Sequence, residues 1–347
     1  MKKTLVALAV TAFAASASAV TVYEAEGSKI DFYGSARVIV ENQTTKEDGV
    51  KKAGEDNGDT KLRNHGTRFG VKVNQALSDN GFYALGEVQV RFKKNQNSGF
   101  GDAYAHNAYV GLGQKEIGQV TFGKQSVIAD EVGLANDNEY GLLGDYVKTS
   151  STSAIRYDYQ GIEGLTLSAN YNFAQSEKND GKALDEKIKN GYGFGAVYEV
   201  NNWIFQGAFG RTHFKSDSAD KIRANAFDAA IGYNLSDVAL VGVDGGYEVK
   251  KTGLVKNRQY YVGPMVKVGL TDKSSVYANY TYGSAKDNSN KKTKSHGFLA
   301  GTDYKFHKNV VAFVEGKYST ERDHFSDGTR SVKTTEKAIG VGLRVNW

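Results

Sequence analysis

The chain has 347 residues, with 40 Gly, 1 Pro and no Cys, where average usage would give about 24 Gly and 17 Pro. With 21 Tyr and 17 Phe it is too aromatic for a solvated disordered polymer. A mean hydropathy of -0.48 excludes a bundle of membrane helices, each of which needs about 20 apolar residues. The formal charge of +5 is too small to imply nucleic-acid binding, and the lack of cysteine excludes a disulfide scaffold, a thiol enzyme and a Cys-ligated metal.

Residues 1–19 read as a secretory signal. Lys2 and Lys3 form a basic start, Leu5 to Ala15 an apolar run too short to cross a membrane, and Ala17-Ser18-Ala19 a small-x-small cleavage site. Cleavage after Ala19 leaves one domain, residues 20–347, and lowers the formal charge from +5 to +3.

Beyond Ala19 the period is two. Phe82, Ala84, Gly86, Val88, Val90 and Phe92 alternate with Tyr83, Leu85, Glu87, Gln89, Arg91 and Lys93. Leu165, Leu167, Ala169, Tyr171 and Phe173 alternate with Thr166, Ser168, Asn170 and Asn172. At the end of the chain Ile339, Val341, Leu343, Val345 and Trp347 alternate with Ala338, Gly340, Gly342, Arg344 and Asn346. Sixteen such strands can be traced, and their connections alternate in length. Ser78-Asp79-Asn80, Glu163-Gly164, Asn201-Asn202, Ser236-Asp237, Thr271-Asp272-Lys273 and His307-Lys308-Asn309 are short. Thr44 to Lys61, Lys124 to Lys148, Gln175 to Asn190, Ser216 to Lys221, Lys286 to Lys294 and Asp323 to Ser331 are longer and charged.

A sandwich would turn its apolar faces inward, whereas a membrane barrel turns them to lipid. Short turns on one rim and long loops on the other favour the barrel, and closure explains how so much sheet avoids exposed edges. The expected fold is therefore all-β, a 16-stranded antiparallel transmembrane β-barrel. Pro264 removes a ladder N–H within a strand and is expected to face lipid, beside a bulge.

Strand phase then sorts the charges. With Phe32, Ala36 and Val38 toward lipid, Tyr33, Ser35 and Arg37 face the lumen; with Phe69, Val71 and Val73 out, Arg68 and Lys72 face in. In the sixth strand Ile155, Tyr157 and Tyr159 face out, leaving Lys148, Arg156 and Asp158 inside. An arginine on the lipid side would cost about 2 to 4 kcal/mol at the midplane. The third long connection is acidic, carrying Asp130, Glu131, Asp137, Glu139 and Asp145.

These residues resemble a family. Lys29-Ile30-Asp31-Phe32-Tyr33-Gly34, Thr67-Arg68-Phe69-Gly70-Val71, Tyr109-Val110-Gly111-Leu112, Gly118 to Gln125, Asn138-Glu139-Tyr140-Gly141 and the aromatic C-terminus are similar to the trimeric general-diffusion porins of Gram-negative outer membranes, and among them to the Haemophilus/Pasteurella-type major porin. The resemblance implies a homotrimer in outer-membrane lipid, each subunit a water-filled pore for small hydrophilic solutes and ions, narrowed by a third loop folded inward. It implies a basic wall facing carboxylates on the inserted loop: Arg68 falls on the family's eyelet arginine, Glu139 on its constriction-loop glutamate and, across one gap, Asp137 on its aspartate, while strand phase adds Arg37, Arg156 and Lys148 to the wall and the acidic connection adds Asp130 and Asp145 to the loop face. Tyr104 and His106 stand where the family carries two further basic residues.

It implies no cofactor, and none of the six His, no G-x-S-x-G and no zinc spacing points to an enzyme. A substrate-specific channel, or an adhesin acting through its loops, is the alternative on the same barrel.

Overall fold

A computed structural model of the chain describes residues 19–53, 57–94, 99–142, 144–216, 221–287, 291–325 and 331–347. The segment expected from the sequence to be a cleaved leader, residues 1–19, lies outside the described residues except for Ala19. Alternating sequence produces sixteen barrel strands. The first is Ser28–Glu47; the second runs in two pieces, Thr60–Asn64 and Arg68–Ala76; Phe82–Lys94, Phe100–Gln114 and Gly118–Ser126 complete the first five. The sixth is Ser150–Ile162, and the seventh comprises Leu165–Asn172 and Gln175–Glu177. Ala183–Val200, Trp203–Phe214, Ile222–Ser236, Ala239–Thr252 and Val255–Thr271 are the eighth to twelfth. Ser274–Lys286, Lys292–His307, Val310–His324 and Ser331–Asn346 are the last four.

Each strand pairs antiparallel with its neighbours, and the sixteenth pairs with the first from Ser35↔Asn346 to Glu47↔Thr334, closing the barrel. No helix among the described residues is long and apolar enough to cross a membrane. Here the strands do the crossing.

The two faces carry opposite chemistry. Outside, Val88, Val110 and Val341 are 55%, 66% and 54% exposed, while Glu315, Asp244 and Glu41 are buried within the lumen at 0%, 1% and 7%. That inversion is what a lipid-facing wall requires. The short connections fall where the sequence suggests, with the 115–117 turn in addition, so one rim is low. On the other rim several strands outrun their expected ends. The seventh and eighth extend into the Gln175–Asn190 stretch, and the eleventh and twelfth join through only Gly253 and Leu254. Pro264 is exposed on the outer face, opposite Val243, and the ladder to the thirteenth strand skips it. The register on either side is unchanged (Val262↔Tyr282, Met265↔Asn279), so the expected bulge is absent.

The first strand is longer than the sixteenth. A short strand, Val20–Ala25, folds back through Glu26 and Gly27 to pair with Ser28–Phe32. It occupies the sheet position below the sixteenth strand, whose end is held by two backbone bonds between Trp347 and Gly34, 2.8 and 3.0 Å.

Candidate functional site: a loop seated across the lumen

The connection 127–149 folds into the barrel, and the wall explains why. Residues Ile128–Glu131 form one turn of 3-10 helix, with Ile128, Ala129 and Val147 packed on Val197, Ala208 and Ala226. Further along, Tyr140 and Leu142 pack on Ile39, Tyr277, Leu299, Phe313 and Ala338. Lumen-facing glycines make the seats. A Cβ on Gly195 would come within 2.9 Å of Ile128, on Gly210 within 2.8 Å of Val147, and on Gly232 within 2.6 Å of Leu134.

Between these apolar seats, three buried wall carboxylates take the loop's backbone donors. Asp244 accepts from the N–H of Leu134 (2.6 Å) and Ala135 (3.0 Å), and Asp228 from those of Tyr146 (3.1 Å) and Val147 (2.7 Å). Glu315 accepts from Asn138 (2.6 Å), Glu139 (2.9 Å) and Tyr140 (2.6 Å), and from the Tyr277 hydroxyl (2.7 Å). Charge-assisted bonds of this kind contribute about 1.5 to 3 kcal/mol each. They satisfy backbone groups that an irregular segment could not otherwise bury.

The opposite wall is basic. Arg37 stands directly across from Arg344, and Arg68 directly across from Arg91, which in turn faces Tyr104. The four guanidinium groups lie within one another's electrostatic reach. Their hydrogen bonds go to neutral partners: Arg37 to Ser35, Arg68 to the Gly66 carbonyl, Arg91 to Gln89 and Arg344 to Asn138. None of the four has a carboxylate ion-pair partner among the described residues, and Arg344 Nε is buried without a protein partner.

The remaining residues singled out in the sequence sort into two kinds. Arg156 is buried and bonded to Asp158 (2.8 Å), Glu131 (3.0 Å) and the Ser126 carbonyl (3.0 Å), so it ties down the start of the loop. Lys148 is not in the sixth strand, which begins at Ser150. It sits on the returning limb of the loop, beside Lys250 and Glu248, away from the arginine row.

Glu139 is tied as well. Arg63, itself bidentate to Glu41 (2.6 and 2.8 Å), donates to it at 2.6 Å, Lys94 donates at 2.7 Å, and His65 abuts it. Burial opposes its ionisation, but His65 and Lys94 outweigh that and hold its carboxyl down at about 2. Glu131 goes the other way: burial pushes it up to about 7 despite Arg156. Asp130, Asp137 and Asp145 are exposed to the lumen. Asp130 lies in the field of Arg91, Arg156 and Arg68, and Asp137 in that of Arg344.

Two arginines of the row, Arg91 and Arg344, are not in the set drawn from the sequence, although their lumen phase is visible in the alternation. The phase of the fourth strand is harder to read. A bulge between Asn107 and Ala105 puts Tyr104 on the lumen side above it and leaves His106 as the extra residue. Among the described residues no cluster of His, Asp and Glu could hold a metal ion.

A family model described as Gram-negative porin matches residues 4–324. The chain belongs to the Gram-negative porin family. This porin is 30% identical over 379 aligned residues to the major outer membrane protein of Pasteurella multocida strain Pm70, with both chains fully covered. Among solved structures it is similar to in-vitro folded OmpT of Vibrio cholerae in its trimer form, at a TM-score of 0.73 and 19% identity, covering 93% of this chain and 100% of that one. It is also similar to the anion-selective porin from Comamonas acidovorans, at a TM-score of 0.64 and 13% identity, covering 92% and 100%. Its location is the outer membrane, where the porin provides a channel for diffusion.

Proposed function

We propose that the porin passes small hydrophilic solutes and ions passively, without enzymatic turnover, through a constriction between the 127–149 loop and the arginine row. The single observation that carries this reading is the row itself: Arg37, Arg68, Arg91 and Arg344 on neighbouring strands, with no carboxylate partner among the described residues. Across from it Asp130, Asp137 and Asp145 supply the acidic face, while Glu139 and Glu131 are neutralised by Arg63, Lys94 and Arg156. Opposed charges across a narrow aqueous gap, flanked by low-dielectric walls, make a transverse field that polar solutes can exchange hydration for. An apolar solute would disrupt oriented water without replacing its bonds.

The four free cations outnumber the three free carboxylates, which favours anions. We further infer a homotrimer, a mature chain beginning at Val20, and membrane lipid around the outer wall. Planar-bilayer recording in a salt gradient tests the reading: openings in groups of three, with a reversal potential on the anion side, are expected. A voltage-independent seal with no openings would overturn the channel, and a cation-side potential would overturn the role given to the arginines.

A further inference from the structure

Between the inserted loop and the wall of the seventh to twelfth strands the lumen holds a cavity of about 560 Å³, across the barrel from the arginine row. That size is ordinary for a small-molecule site. Both ends of the loop line it, Val127 to Ala129 and Asp145 to Lys148, so an occupant bears on the segment that crosses the lumen. On the wall it reaches toward the long-loop rim, to Leu184 and Glu186 near the start of the eighth strand and Lys250 near the end of the eleventh. A smaller cavity of about 190 Å³ adjoins it and shares Asp145, Val147, Lys148, Lys178 and Leu184.

The lining sorts into an apolar floor and two kinds of unspent charge. Val147, Gly193, Gly210, Ala224 and Ala226 form the floor, with the Phe214 ring beside them. Lys250 is spent: it pairs with Glu186 and lies over the Phe214 ring, 5.2 Å from its centre. Four other charges are not. Lys148, Lys178 and Asp145 have no side-chain bond or ion pair among the described residues, and Glu248 takes only the neutral Gln259 amide, at 2.9 Å. Lys148 lies within the electrostatic reach of Glu248, yet the two form no ion pair at 4.0 Å or less, so opposite charges face each other across a gap. Two free charges of each sign cancel, and neither a simple anion nor a simple cation is favoured there. A neutral polyol is poorly served too, because the amides are engaged: Asn170 donates to Asn172 at 3.0 Å and Gln259 to Glu248.

We infer that this cavity is a binding site for short zwitterionic peptides bearing an apolar side chain. The ammonium end pairs with Asp145 or Glu248, the carboxylate end with Lys148, and the side chain covers the Ala224, Ala226 and Phe214 surface. Asp145 and Lys148 are three residues apart, at most about 10 Å between Cα atoms, and a dipeptide backbone spans about 7 Å. A single amino acid, its two charges on one carbon, would satisfy one end at a time. The inference rests on the passive-channel reading, since the peptide reaches the cavity through the lumen.

The test records the full-length protein in a planar bilayer of neutral lipid at pH 7, with the dipeptide alanyl-phenylalanine added to both sides. Saturable interruptions of the open-channel current are expected. The same peptide with acetyl and amide caps, and phenylalaninamide as a simple cation, are expected to leave the current uninterrupted at the same concentration. Lys148→Gln should weaken the block about tenfold, while Lys148→Arg, which keeps the charge, should block as the wild type does. A control on the far wall, Lys317→Gln, should also block as the wild type does. Openings in salt that the dipeptide leaves uninterrupted would overturn this proposal alone, whereas no openings in salt would overturn the channel itself. Equal block by the capped peptide or by phenylalaninamide, or equal block in Lys148→Gln and wild type, would also overturn the proposal, since the two charged ends would then not be what the cavity reads.

Discussion

Arg68 and Arg91 share one cross-strand pair, and both spend their Nε hydrogen on a neutral acceptor, Gly66 O at 3.2 Å and Gln89 Oε1 at 2.5 Å. Their charge therefore remains available to the lumen. Replacing Arg68 by Ser removes bulk and one positive charge, so single-channel conductance should rise or bulkier solutes be admitted. Conductance, ion preference and solute uptake all unchanged in that mutant would take Arg68 out of the constriction. Glu131 gives the pH dependence its sign. Its carboxyl lies at about 7 against an ordinary 4.5, so it is ionised and carries its full burial penalty above pH 7, and it takes up a proton as pH falls through that value. Each protonation frees part of the Arg156 charge, and anion preference should grow between pH 8 and pH 5. Reversal potentials at the two pH values check this, with Glu131→Gln expected to lose the part of the shift centred near pH 7 and to keep the part due to Asp137, which burial pushes up to about 6; a mutant with the wild-type pH response excludes Glu131 as a titrating group. Glu139 behaves oppositely. Held at about 2, it contributes stability above 4.5 that is lost only as pH falls toward 2, so the knot with Arg63 and Lys94 persists through mild acid.

At the scale of elements, the inserted loop is the part least legible in the sequence. Alternation exposes the lumen phase of Asp228, Asp244 and Glu315, and equally that of Arg91 and Arg344, because period two is a local property. The partners of the three carboxylates are not local: they are backbone N–H groups in a segment 81 to 177 residues away, and no side-chain pattern marks a backbone donor. The glycines that seat Ile128, Val147 and Leu134 look like thin wall until the loop lies against them. One strand boundary and one change of phase are also hidden, since Lys148 lies just before the sixth strand and the His106 bulge shifts the phase within the fourth. Glu315→Gln should loosen the loop strongly, because an amide keeps one acceptor and turns its –NH2 toward donors. With four donors converging on that carboxylate, about 2 to 5 kcal/mol of local anchoring is at stake. The expected outcome is noisier open-channel current and protease cleavage within 133–141, at an unchanged yield of folded barrel. Quiet current and a protected loop would show that the apolar seats alone suffice.

For the whole molecule, closure is the governing requirement, because a backbone group left unpaired in lipid has no water to turn to. Fifteen of the sixteen strand-to-strand seams are made by strands that follow one another in the chain. The sixteenth joins the two ends, and it is assembled from two segments: Ser331–Asn346 beside the upper part of the first strand, and Val20–Ala25 beside Ser28–Phe32. Trp347 fills the junction, bonding Gly34 in both directions and covering its Cα so closely that a Cβ there would fall 2.4 Å from the indole. Gly34 is thus required by the approach of a ring rather than by its own backbone angles. Removing residues 20–25 leaves the edge of Ser28–Phe32 unpaired on that side, near the short-turn rim, without touching the loop or the arginine row. The deletion should therefore lower the temperature at which the folded barrel loses its heat-modifiable migration on gels, while single-channel conductance and reversal potential stay at wild-type values. Gly34→Val should do the same by expelling Trp347 from the seam, and the two changes combined should add little beyond either one, because both open the same junction. Full additivity of the two shifts would mean that the N-terminal strand and Trp347 stabilise the barrel separately, and that the seam is not a single closing unit.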